Sequence, residues 1–227
     1  MQRSIDIGLN ELKAQLVQMA GYLEEAVKNA TLAWRNRSRE MIERVNAIED
    51  KVNQAHLDVD AACLKLLATQ QPLATDLRFI LSVVKINSDI ERMADQAVNI
   101  SNNAVYYLQH PPYQDLSDLI RMSEIVRELV KNAIDAFIKE DAVLAQNVLD
   151  ADDEVDQLKN KVFKDVLAHL KQTPQEVEQG LNVILIARNL ERIGDHATNI
   201  AEDVIFTISG QDVRHSHFRK KGSPDEK

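Results

Sequence analysis

The sequence predicts an all-α protein built as two tandem three-helix bundles related by an internal repeat. Three observations carry that prediction. Helix breakers are scarce, with six Gly and five Pro in 227 residues, well below ordinary usage. The chain is 44% hydrophobic and 28% charged but only 4% aromatic, a balance that favours helices over strands. Apolar residues recur at alternating steps of four and three, the spacing that lays one helix face against its neighbours in a bundle. A chain of this size and composition buries a real core, which excludes intrinsic disorder.

The punctuation divides the chain into six long periodic segments, with breaks near residues 36–38, 69–72, 110–113, 140–141 and 173–174. Each segment runs roughly 30 residues, about 45 Å of helix. Ser38 offers a hydroxyl cap to the second segment. The third carries Ile86, Ile90, Met93, Ala97, Ile100 and Ala104 at steps of 4, 3, 4, 3 and 4. Asp141 is placed to cap the fifth. The sixth opens on Thr173-Pro174-Gln175-Glu176, which reads as a capping box with proline at the first helical position. It then repeats the 4-3 pattern in Ile186, Leu190, Ile193, Ala197, Ile200 and Val204.

The two halves are copies. Residues 89–100 align without gaps on residues 189–200, with six of twelve positions identical. Earlier in each half the offset is 103, so that Val27-Lys28-Asn29-Ala30 falls on Val130-Lys131-Asn132-Ala133 and Ser38 on Asp141. The three-residue difference is expected at the turn before the last helix, where loop length is easily changed. The domains expected are 1–110 and 113–210, followed by a polar tail, 211–227.

The formal charge of −9 argues against a general nucleic-acid binder. A single cysteine, Cys63, excludes an internal disulfide, and its apolar surroundings in sequence predict a buried thiol. The first residues lack the apolar run of a signal peptide. No apolar stretch approaches the roughly 20 residues that span a bilayer. The expectation is a soluble, cytoplasmic protein without direct membrane insertion.

In each copy the last helix carries Glu-x-x-x-Asp, as Glu91 with Asp95 and Glu191 with Asp195. Residues four apart stack on one helix face, where like charges repel. Each pair lies roughly 140–180° around the helix from the apolar stripe, so the carboxylates are expected to face outward. Asn99 and Asn199 extend the polar line. On the preceding helix, Glu49-x-x-x-Asn53 matches Asp152-x-x-x-Asp156. An antiparallel neighbour would bring these beside the first acids and form an oxygen-rich site suited to Mg²⁺, Mn²⁺ or Fe²⁺. The competing reading is a solvated face neutralised by Arg92 and Arg192. A single motif favours that reading; two matched copies set the metal reading level with it. His215 and His217 lie in the polar tail, and His196 is matched by Gln96, which weakens a metal role for it. Neither a Gly-rich phosphate loop nor a nucleophile–base constellation is legible.

The doubled Glu-Arg-[Met/Ile]-[Ala/Gly]-Asp motif resembles the PhoU family of bacterial phosphate-uptake regulators. So do Gln71-Pro72 with Asp76-Leu77-Arg78, the acids of the second and fifth segments, and the closing Gly210-Gln211-Asp212-Val213-Arg214-His215. The resemblance implies two three-helix bundles, a cytoplasmic location and homodimers. It implies a negative regulator of the phosphate-starvation response that links the ATPase of the phosphate ABC transporter to a sensor histidine kinase. It further implies surface metal at Glu91, Asp95, Glu191 and Asp195, with Glu49, Asp152 and Asp156 as further ligands. The ion is left open among Mg, Mn, Fe and Zn. Asn53 stands where the other half has Asp156, so the first site is expected to hold metal more weakly. A non-enzymatic adaptor is the leading expectation. One alternative is a carboxylate-bridged di-metal oxidase, which requires inward-facing Glu-x-x-His, a motif missing from this chain. The other is a purely structural tandem bundle.

Overall fold

The computed structural model describes residues 3–113 and 116–210. Among these the chain forms six α-helices and no strands: α1 (Ser4–Arg35), α2 (Arg39–Thr69), α3 (Ala74–Tyr107), α4 (Ser117–Lys139), α5 (Ala142–Leu170) and α6 (Val177–Ser209). His215, His217 and the rest of the tail lie outside the described residues.

The breaks fall where turn chemistry placed them, and the first turn of each half is built alike. Arg37 and Glu140, equivalent at the offset of 103, both adopt φ 54°. This left-handed conformation costs a non-glycine residue about 1 kcal/mol. After each, a backbone N–H reaches back across the helix end, Ser38 to the Ala33 carbonyl at 2.9 Å and Asp141 to Ala136 at 3.0 Å. These close the helix in the manner of a Schellman turn. Arg37 is held further, donating to the carbonyls of Leu108 at 2.9 Å and His110 at 2.6 Å. Asp141 caps α5 as expected, its Oδ1 accepting from Val143 and Leu144. Ser38 makes no side-chain cap bond.

The capping box expected at Thr173 does not form. Thr173 Oγ1 donates instead to the His169 carbonyl at 2.9 Å, and Glu176 meets His169 Nε2 at 2.7 Å. Pro174–Glu176 is a turn of 3₁₀ helix, and α6 proper begins at Val177. The cause is loop length. Residues 70–73 join α2 to α3, whereas α5 reaches the 3₁₀ turn through residues 171–173, with helix α5 itself two residues shorter. The offset therefore changes at this turn, as expected, and the tighter reversal pulls both side chains back onto α5.

The 4-3 stripes are the core. None of the twelve stripe residues of α3 and α6 is more than 2% exposed. Cys63 is buried as well, and burial pushes its thiol up to about 11. Both helices bury more than one stripe, including Ser82 on α3 and Asp203 on α6. The reason is that α3 and α6 share the most extensive helix–helix packing in the molecule, in addition to packing within their own halves. They run antiparallel: Ser82 accepts from Thr207 at 2.7 Å, Lys85 pairs with Asp203 at 2.8 Å, and Asp89 meets His196 at 2.8 Å. α1 and α4 also meet antiparallel, through Lys13–Glu140 and Arg35–Glu124. Exchanging α3 with α6 and α1 with α4 maps one half on the other, an approximate two-fold. No described helix is long and apolar enough to cross a membrane.

Because the halves share a core, urea denaturation should give one transition, the same by circular dichroism and by fluorescence of the single Trp34. Ile90→Ala and Leu190→Ala, at matched fully buried positions, should each lower stability by about 2–5 kcal/mol. Two separated transitions, with Trp34 reporting only one, would show that the halves fold independently.

Candidate functional site: two acidic seams

The motif acids of α6 lie along its seam with α5. The helices are antiparallel, since Gly180 packs near Val166 and Leu170 while Gly194 faces Asp152. A methyl group at Gly194 would sit 3.2 Å from Asp152 Oδ1. Glycine thus permits a short acid to lie close against α6. The first half carries the longer Glu49 with Ala94 at the matching positions.

Asp152, Asp156, Glu191 and Asp195 come within electrostatic reach of one another. Burial first, then the charges of Asp195, Asp156, Asp153 and Glu191, push the Asp152 carboxyl up to about 6. Asp195 keeps much of its surface in solvent. Loss of water on its seam side, followed by Glu191 and Asp156, still raises its carboxyl, against the pull of His196 and Lys159. The seam's positive charge comes from Lys159, whose Nζ donates to Asp156 Oδ1 and Glu191 Oε1, both at 2.8 Å. Burial works against that charge, but the two hydrogen bonds hold the ammonium above the ordinary lysine range.

The first seam repeats the plan more loosely. Burial, then Asp95 and Asp50, raise the Glu49 carboxyl, which places Glu49 beside Asp95 across α2 and α3. Arg92 lies 3.6 Å from Glu91 and 3.9 Å from Asp95, beyond close hydrogen bonding. His56, the counterpart of Lys159, sits 3.7 Å from Asp60.

The structure therefore brings the predicted acids of each half together from two helices. It also corrects their orientation, since Glu91, Asp95 and Glu191 are half-buried where the neighbouring helix covers one side. Among the described residues, no three His, Cys, Asp or Glu side chains converge as a ready-made metal site. The reading from sequence passed over Lys159, although its place three residues after Asp156 was the available signal. His196, whose metal role the mismatch with Gln96 had weakened, instead pairs with Asp89 of the other half.

Fold and site together define a class: an all-helical tandem repeat with one acidic seam per copy. The PhoU domain matches this chain twice, over residues 16–104 and 119–204. The phosphate-specific transport system accessory protein PhoU homolog of Aquifex aeolicus is 36% identical over 214 residues, covering 94% of this chain and 97% of that protein. The Pseudomonas aeruginosa homolog of the same description is 34% identical over 208 residues, 91% of this chain and 86% of its own. A crystal structure of PhoU from Pseudomonas aeruginosa superposes with a TM-score of 0.89 at 32% identity, over 92% of this chain and 100% of that one. The phosphate transport system regulatory protein PhoU of Streptococcus pneumoniae gives 0.86 at 25% identity, over 92% and 99%. The chain belongs to the PhoU family.

The raised Asp152 carboxyl gives a pH dependence with a definite sign. Protonation is easier in the folded state, so Asp152 favours folding at low pH, and that contribution is lost as pH rises from 3.8 toward about 6. Asp152→Asn should make the metal-free protein, held in chelator, more stable at pH 7 by on the order of 1 kcal/mol after solvent screening. It should also flatten the stability profile across that window. A variant less stable at pH 7, with the slope unchanged, would contradict the assignment.

Proposed function

We propose that this chain is a non-enzymatic accessory protein of phosphate-specific transport that represses the phosphate-starvation response. It acts in the cytoplasm, as a homodimer, coupling the ATPase of the phosphate ABC transporter to a sensor histidine kinase. Such an adaptor works by presenting surfaces that shift its partners' equilibria. Family membership supports the reading, and one observation carries it. On the helix pairs that carry the acidic seams, matched positions of the two halves leave large apolar side chains in solvent: Leu64 with Leu167, Leu77 with Val177, and Leu81 with Leu181. Apolar surface held exposed at matched points of both halves marks a place for partners.

The seams add a regulatory element. Their all-oxygen donors suit a hard divalent cation, Mg, Mn or Fe rather than Zn. In the first half Glu49, Glu91 and Asp95 would hold it, and its charge would offset the repulsion that raises Glu49. The di-metal oxidase reading lacks support, because the acids lie in surface seams and not inside a bundle core.

The direct test is capture of purified transporter ATPase and sensor kinase. Wild type is expected to retain both. Leu64→Lys/Leu167→Lys should lower capture at least about tenfold with helicity unchanged. Glu91→Ala/Asp95→Ala/Glu191→Ala/Asp195→Ala should lose bound metal and capture together. Wild-type protein that retains neither partner would overturn the adaptor reading.

A further inference from the structure

We propose that Lys159 is the resident cation of the second acidic seam and keeps a divalent metal ion out of it. The inference rests on the reading above, that the seams take hard cations.

Lys159 bridges the two helices of its seam. Its ammonium bonds Asp156 on α5 and Glu191 on α6, each at 2.8 Å. These are charge-assisted hydrogen bonds of full strength. They engage one acid from each helix, half of the seam's four predicted ligands. The ammonium is tethered to the same chain, so it reaches both carboxylates without the cost of bringing in a free ion. A divalent ion that takes Asp156 and Glu191 as ligands has to break both bonds and displace the ammonium.

The first seam lacks this device. The residue equivalent to Lys159 is His56, and it is turned elsewhere: its Nε2 lies toward Asp60 and its backbone carbonyl accepts from Asn87 at 3.0 Å. Asp60 accepts from the same Asn87 amide at 2.9 Å. The cation present, Arg92, is 64% exposed and touches the acids only at 3.6 and 3.9 Å, an arrangement that a metal ion displaces at little cost.

Counting only the predicted acids and the residues at the matched positions 53/156 and 56/159, the charges of the two seams balance. The first holds three carboxylates, Glu49, Glu91 and Asp95, with neutral Asn53. The second holds four, Asp152, Asp156, Glu191 and Asp195, less the one ammonium of Lys159, which again leaves three negative charges. Asn53 with His56 and Asp156 with Lys159 are thus compensating pairs at the offset of 103. One seam keeps its deficit open for a free ion, and the other meets part of it from its own chain. This reverses the ranking suggested by Asn53 alone, which made the first site the weaker.

Mn²⁺ binding to the full chain, followed by equilibrium dialysis and by the spectrum of bound Mn²⁺, tests the assignment. Wild type should bind about one ion per chain, lost in Glu49→Gln/Glu91→Gln/Asp95→Asn. Lys159→Gln should gain a second ion, with affinity at the second seam raised at least about tenfold. Adding Asp156→Asn/Glu191→Gln to that variant should remove it again. Lys159→Arg, which keeps the charge, should bind as wild type does and serves as the folding control. Wild type that already fills the second seam would overturn the proposal, and so would Lys159→Gln that gains no ion. If wild type binds none while Lys159→Gln gains one, Lys159 stands as the resident cation and the first-seam metal reading fails instead.

Discussion

The antiparallel packing of α3 against α6 makes each of these helices bury two faces, one toward its own bundle and one toward the other half. A helix surrounded in this way keeps only a narrow strip for polar residues, and that strip carries Glu-x-x-x-Asp. The motif acids therefore lose part of their water on one side, Asp195 least. They are confined beside α2 in one half and α5 in the other, where partial loss of water and mutual repulsion raise Glu49, Asp152 and Asp195. The shared core and the strained electrostatics have the same origin.

That confinement also explains the residues around the seams. Gly194 lets Asp152 lie against α6 without a methyl group in the way. Lys159 supplies a cation where four acids meet, and the bonds it makes outweigh the burial that opposes its charge. Lys85 with Asp203 and Asp89 with His196 then lock the two central helices in register.

Much of this was legible in the residues. The 4-3 stripes of Ile86 to Ala104 and Ile186 to Val204 report burial directly, because a helix repeats every 3.6 residues. The doubled motif located the seams, since sequence identity at a fixed offset carries over to position in the fold. What stayed hidden depends on three-dimensional neighbours. Ser82 looks like a surface serine until α6 brings Thr207 to it, and Asn87 looks polar until α2 brings the His56 carbonyl and Asp60 to it. Lys159 looks like an ordinary surface lysine until α6 brings Glu191 to it. The Thr173 capping box was a sound local pattern, overruled by a reversal too short to leave Thr173 and Glu176 free to cap.

Native-state hydrogen exchange tests the central claim most directly, that α3 and α6 form one rigid spine carrying both seams. The amides of residues 86–100 and 186–200 should exchange slowest in the molecule and with the same free energy of opening, because neither helix can open without the other. Exchange of one of these stretches at a markedly lower free energy than the other would contradict the shared spine. The two seams would then belong to independent bundles that merely touch.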